Sequence, residues 1–285
     1  MRYNCKVPKG NILFKEKIDM KKIVSLILAV LMIATCVVAF ASCKKEDKLV
    51  MATNAAFPPY EYKDDNGDFA GIDVEIAKAI ADKLGMELEI VDVDFDAIIG
   101  GVQSGKYDMG MAGMTVTDER KESVNFSTTY ATGIQVVIVK EGSTIAAADD
   151  FFNLDEEGNW VSLKDASVKV GVQQGTTGDI YASSEPKDWG FGENNVVRYK
   201  TGADAILALN KGEVQAVIID NEPAKSFVAA NEGLKILEAD YANEDYAICV
   251  AKTNTELLDK INTALAELKA EGKLAEIIGK YIPAN

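Results

Sequence analysis

The segment Gly113-Met-Thr-Val-Thr-Asp-Glu-Arg120 carries one of only three arginines in a chain with 30 basic residues, the others being Arg2 and Arg198. Thr117 is placed to cap a helix that Asp118 and Glu119 open, where their charge complements the helix dipole. Arg120 runs against that dipole. Its planar fork grips a carboxylate through two parallel hydrogen bonds, so an anion in front of the loop accounts for it, with Thr115 adding a hydroxyl. A second loop, Gln174-Gly175-Thr176-Thr177-Gly178, joins a strand pattern to a helix start and presents backbone N–H groups to an anion. No Gly-Lys-Ser/Thr follows, which excludes a phosphate loop. Asp220 ends the apolar run VQAVIID, where it either caps the helix around Pro223 or receives an ammonium. Asn54, Phe57, Pro58, Pro59 and Tyr60 form either a rigid turn with core aromatics or a polar and aromatic lining. Taken together, these half-sites describe one small zwitterion, with its carboxylate on Arg120, its ammonium on Asp220 and its side chain against Phe57.

The elements that must position these groups follow from the apolar periodicity. From Leu49 onward short apolar runs alternate with helical patterns, which specifies an α/β fold with crossover helices. LVMAT, MELEIVDV and YDMGMAG read as strands, Asp73 to Leu84 as a helix stopped by Gly85, and Asp96 to Ser104 as a helix ended by Gly105. TGIQVVIVK is extended, and a polar loop runs through Asp149, Asp150 and Asp155 to Gly158. A second series begins at Val168: VKVGVQ, a helix, VVRYK, a helix ending before Gly212, and VQAVIID. The segments DAIIGGVQSGKYDMGMAG and DAILALNKGEVQAVIID echo each other, placing Gly113 and Asp220 at matching C-terminal strand ends, where open α/β sheets bind ligands. Asn254 to Ile282 reads as helical, with Leu257, Leu258, Ile261, Leu265 and Leu268 in a packing stripe.

Composition narrows the function. The 285 residues and 48% hydrophobic content suit one or two globular domains. Met20-Lys21-Lys22, the apolar run from Ile23 to Phe40 and Ala41-Ser42-Cys43 resemble a bacterial lipoprotein signal with Cys43 lipidated, although Phe40 stands where such signals usually carry leucine. The same run competes as a membrane anchor. Residues 1–19 precede Met20, a second candidate start. Residues 1–43 hold seven of the 30 basic groups and two of the 45 acidic ones, leaving a formal charge of −20 on the remainder. That charge excludes nucleic acid and restricts membrane contact to the lipid tether. No histidine is present, which removes His-based triads and the commonest transition-metal ligand. Cys249, within YAICVA, has no intrachain partner outside the leader and is expected in the core. Asp64-Asp65-Asn66-Gly67-Asp68 lacks calcium-loop spacing and reads as a hairpin turn. No metal and no cofactor is expected.

The motifs TNAAFPPYEY, GIDVEIAKAIADKLG, VDFDAIIGGVQSGKYDMGMAGMTVTDERK, VGVQQGTTGDIY and DAILALNKGEVQAVIID, in this order, resemble the extracellular solute-binding proteins of polar amino acid ABC importers. The resemblance covers Leu49 to the C-terminus. It implies a type II periplasmic-binding-protein-like α/β fold, with two lobes joined by a two-crossing hinge near Tyr130–Ile134 and Asn243–Ala247. Residues 1–43 are then the N-terminal extension and signal, 44–48 a tether, 49–134 plus 244–285 lobe 1, and 135–243 lobe 2. It also implies roles: Arg120, Thr115 and the Thr177 backbone for an α-carboxylate; Asp220 and the Gly113 carbonyl for an α-ammonium; Phe57 and Phe95 sandwiching the ligand; Ala112 lining the site; and Asn54 and Gln173 facing the ligand side chain.

Asn54 stands where relatives often carry Asp, and Gln173 where a glutamine-binding relative carries Lys. Because a desolvated unpaired charge is costly, these neutral amides predict a neutral polar amino acid such as glutamine or cystine. The partners implied are that free amino acid and the importer's permease subunits, with the protein held outside the cytoplasmic membrane. Two rivals share the scaffold. A cyclohexadienyl-dehydratase-like enzyme would need a general acid, for which Glu222 is the spare carboxylate. A ligand-sensing lipoprotein would use the same binding site.

Overall fold

The computed structural model describes residues 48–237 and 242–283. The signal, the Cys43 lipidation site and most of the tether lie outside these residues. The strands that build the two main sheets are β1 (Lys48–Thr53), β2 (Glu87–Asp92), β3 (Met109–Gly110), β4 (Val124–Phe126), β5 (Ala131–Lys140), β6 (Val170–Gln173), β7 (Val196–Tyr199), β8 (Ala216–Asp220), β9 (Leu234–Ile236), β10 (Ala242–Tyr246) and β11 (Cys249–Ala251). The first sheet has the order β2-β1-β3-β11-β4, and the second β7-β6-β8-β5-β9 with β10 also paired to β5. β1 runs parallel to β2 and β3, and β6 parallel to β7 and β8, as crossover helices require.

The helices are α1 (Ile72–Leu84), α2 (Phe95–Gln103), α3 (Asp118–Ser123), α4 (Thr177–Ser183), α5 (Gly202–Lys211), α6 (Asn221–Ala230), α7 (Thr255–Ala270) and α8 (Lys273–Tyr281). α1 buries Ile72, Val74, Ile76, Ala77, Ile80 and Ala81, the stripe its 3.6-residue period predicts. Gly85 and Gly212 end α1 and α5 in the left-handed conformation, closing each helix against the next strand. The C-terminal region is two helices, because Gly272 (φ 73°) breaks it after Ala270.

The chain leaves the first sheet after β4 and returns to it at β11. The connecting strands β5 and β10 pair antiparallel, with Asn243 opposite Ile134 and Tyr246 opposite Ala131. Two features depart from the sequence expectation. YDMGMAG contributes only Met109 and Gly110 as regular strand. The polar loop after β5 contains a hairpin of Phe152–Leu154 and Trp160–Leu163, in which the Phe152 and Trp160 rings stack 3.9 Å apart. The acidic turn at Asp64 joins strands Glu61–Lys63 and Phe69–Ala70, with Asp64 Oδ1 accepting from the backbone N–H groups of Asn66 and Asp68.

Candidate functional site

A small, largely enclosed pocket lies where the ends of β1, β6 and β8 meet α2, α3 and α4. Asn54, Phe57, Phe95, Ala112, Gly113, Thr115, Arg120, Gln173, Thr177 and Asp220 all line it, joined by Glu61 and Thr176. Residues as far apart in sequence as Asn54 and Asp220 therefore converge because both sheets present strand ends to one cleft.

Arg120 sits in the first turn of α3, whose cap is Thr117 through its hydroxyl to the Arg120 N–H at 3.1 Å. The guanidinium is buried and lies 5.4 Å from the centre of the Phe95 ring. Nη1 donates to the Thr115 carbonyl at 2.7 Å and Nη2 to the Gly175 carbonyl at 3.0 Å. It forms no ion pair among the described residues, and burial lowers its pKa against the opposing field of Glu244. Arg198 behaves in the opposite way, with Nε 2.9 Å from Asp179 and Nη1 2.7 Å from Glu193. One arginine is saturated by the protein's own carboxylates; the other lines the cavity and, among the described residues, bonds only carbonyls.

Asp220 ends β8 and precedes α6, but its side chain makes no capping hydrogen bond. It accepts instead from the Tyr246 hydroxyl. Burial first, and the nearby Glu244 charge second, raise its pKa to about 7. Glu222, two residues on, does not line the cavity and is bonded to Lys225 at 2.7 Å. Gly113 adopts φ 50°, and a Cβ there would stand 2.9 Å from the Phe57 ring, so the close approach of ring and backbone depends on glycine. Its N–H donates to Asp73 Oδ2 at 2.8 Å, which also accepts from the Tyr130 hydroxyl at 2.9 Å. Glu61 is fully buried beside Asp73 with Oε2 lacking a partner, and burial followed by the Asp73 charge raises its pKa well above the carboxylate range.

Hydrogen bonds span the cleft. Gln173 Nε2 donates to Asn54 Oδ1 at 2.9 Å and Gln174 Nε2 to Asp96 Oδ2 at 2.8 Å, while Lys200 pairs with Asp94. Thr176 caps α4, accepting from Asp179 N–H at 3.3 Å, so Thr177 and Gly178 belong to the helix and not to the loop before it. Glu61, Asp73, Gln135, Glu244 and Tyr246 are the site's neighbours that sequence reasoning missed. The available signal was a set of polar residues inside otherwise apolar strand patterns, as in YEY and TGIQVVIVK. Among the described residues, no helix is long and apolar enough to cross a membrane.

Two α/β sheets, joined by paired crossing strands, with a pocket lined by Arg120 and Asp220, define a two-lobed cleft-binding protein. The chain belongs to the bacterial extracellular solute-binding proteins, family 3, whose model matches residues 49–284. It is 30% identical over 263 residues to the arginine-binding extracellular protein ArtP of Bacillus subtilis (strain 168), covering 88% of this chain and 96% of that protein. Among solved structures, an ancestral arginine-binding protein bound to arginine is 39% identical, with TM-score 0.72 over 82% of this chain and 97% of its own. An ancestral arginine-binding protein bound to glutamine is 38% identical, with TM-score 0.73 over 83% and 98%.

Proposed function

We propose that this protein binds a free amino acid between its lobes and delivers it to the permease subunits of an ABC importer. Arg120 carries the reading. A buried guanidinium is costly without an anion, and this one has two of its five N–H groups on carbonyls and none on a carboxylate among the described residues. An α-carboxylate supplies the missing charge, and Asp220 on the opposite sheet supplies the counter-charge for the α-ammonium. Contact with both sheets favours the closed arrangement, the form a permease would recognise. In this reading residues 49–134 with 244–285 form one lobe and 135–243 the other, and Cys43 carries a lipid that holds the protein outside the cytoplasmic membrane.

Asn54 and Gln173 suit a neutral polar side chain such as that of glutamine or cystine. Glu61 favours a second reading, a cationic side chain, because it lines the cavity and a ligand cation there would hold ionised a carboxyl that burial and Asp73 otherwise push well above the carboxylate range. Relatives named for arginine add weight to it. A thermal-shift screen of the twenty amino acids and cystine tests both. No shift with any of them would sink the amino acid reading. Glu61→Gln separates the two: about a tenfold or greater loss for arginine, with glutamine unchanged, identifies Glu61 as the partner of a ligand cation.

A further inference from the structure

Glu244 lies on β10, the strand by which the chain returns toward the first sheet, and is only 5% exposed. Its Oε2 accepts from Thr115 Oγ1 at 2.9 Å and from Gln135 Nε2 at 3.0 Å. Thr177 Oγ1 stands 3.4 Å from both of those donor atoms. Thr115 and Thr177 are the groups expected to hold a ligand carboxylate beside Arg120. A hydroxyl has one proton, and the Thr115 proton is directed at Glu244. The protein thus already holds a carboxylate at the back of the place where a ligand must bring one.

The same carboxylate bears on the ammonium end. Asp220 faces Tyr246 and Gln135 as well as Glu244, and its charge is felt by Tyr60, Glu61 and Tyr181. Arg120 is the one cation among the charged groups facing this cluster in the described residues, and Glu244 is the carboxylate that acts on it most strongly. Two carboxyl groups, Glu244 and Asp220, therefore bear on one cation.

Building on the amino acid reading above, we propose that Glu244 is a positioning residue that sets affinity from behind the site: it occupies a donor the ligand carboxylate needs and opposes the negative charge Asp220 must carry to hold the ammonium. Affinity is then below what the direct contacts alone could give, and it falls as pH drops below about 7, where binding must expel a proton from Asp220. Glu244→Gln keeps the shape and an acceptor for Thr115 but removes the charge.

The test is calorimetry on the purified protein and E244Q from pH 5.5 to 8.5. The probe is whichever of L-arginine, L-lysine, L-histidine, L-glutamine and L-cystine gives the largest thermal shift with wild type. E244Q is expected to bind more tightly, by about tenfold near pH 6, with the midpoint of its affinity profile about one pH unit more acidic. A merely structural Glu244 would instead weaken binding at every pH and leave the midpoint in place, and that outcome overturns the proposal. An E244Q chain that no longer melts cooperatively overturns it as well, since a group acting through charge is replaceable by its amide. If wild type binds none of the probes, the amino acid reading fails and takes this proposal with it; if wild type binds and E244Q shifts nothing, only this proposal fails.

Discussion

Replacing Arg120 with lysine keeps the charge and removes the fork. Arg120 commits one N–H to the Thr115 carbonyl and one to the Gly175 carbonyl, which leaves three for a ligand. Lysine offers three donors from a single nitrogen on a shorter reach, so it cannot hold both carbonyls and still grip a carboxylate through two parallel bonds. The loss amounts to at least one charge-assisted hydrogen bond, about 1.5–3 kcal/mol, or roughly a 10- to 150-fold increase in Kd. The bond to Gly175 crosses the cleft, so its loss acts in the same direction by disfavouring closure. Isothermal titration of wild type and Arg120→Lys with the preferred amino acid measures this, with circular dichroism confirming that both are folded. Arg198→Lys is the control, because Arg198 is held by Asp179 and Glu193 away from the cavity; its Kd should match wild type while its Tm falls. A Kd for Arg120→Lys within about threefold of wild type would refute the placement of the ligand carboxylate on Arg120.

Asp220→Asn should weaken binding and flatten the decline of affinity below pH 7, because the group that must be ionised is gone; calorimetry at pH 6 and 8 reads both effects. Gly133→Ala should lower Tm by several degrees, since its Cβ would stand 2.0 Å from the Tyr246 hydroxyl and overpacking of this kind costs about 1–3 kcal/mol. Cys249 is fully buried with its thiol pushed up to about 12, so peptide mapping should find it labelled by alkylating reagents at pH 8 only after denaturation. Asp73 and Asp220 both have folded pKa values near 7, above the ordinary carboxylate value, so their contribution favours folding at low pH and is lost as pH rises toward 7. Tm without ligand should therefore be higher at pH 5.5 than at pH 8, and a flat or rising profile contradicts the burial of these two carboxyls.

The elements were legible wherever local chemistry fixes them. The α1 stripe, the Thr117 cap and the glycine stops at 85 and 212 each depend on residues within a turn or two of one another. The Phe152–Leu163 hairpin was not legible, because its stability comes from the Phe152–Trp160 stack and packing beneath it, while its sequence is rich in the acids and glycine of a loop. For Asp220, the sequence leaves cap and ammonium receptor both open; the structure removes the cap, because the carboxyl makes no capping bond and meets the Tyr246 hydroxyl, 26 residues away, instead.

By itself the sequence determined the α/β class, the strand end at Asp220 and an arginine that no helix dipole explains, since periodicity, capping and side-chain shape act over short stretches of chain. Only the tertiary structure decided that Arg198 is saturated and Arg120 is not, and that Glu61, Asp73 and Glu244 crowd the same cleft. The reason is physical: burial and the field of distant charges set the chemistry of these groups, and both arise only when strands far apart in sequence bring their ends together.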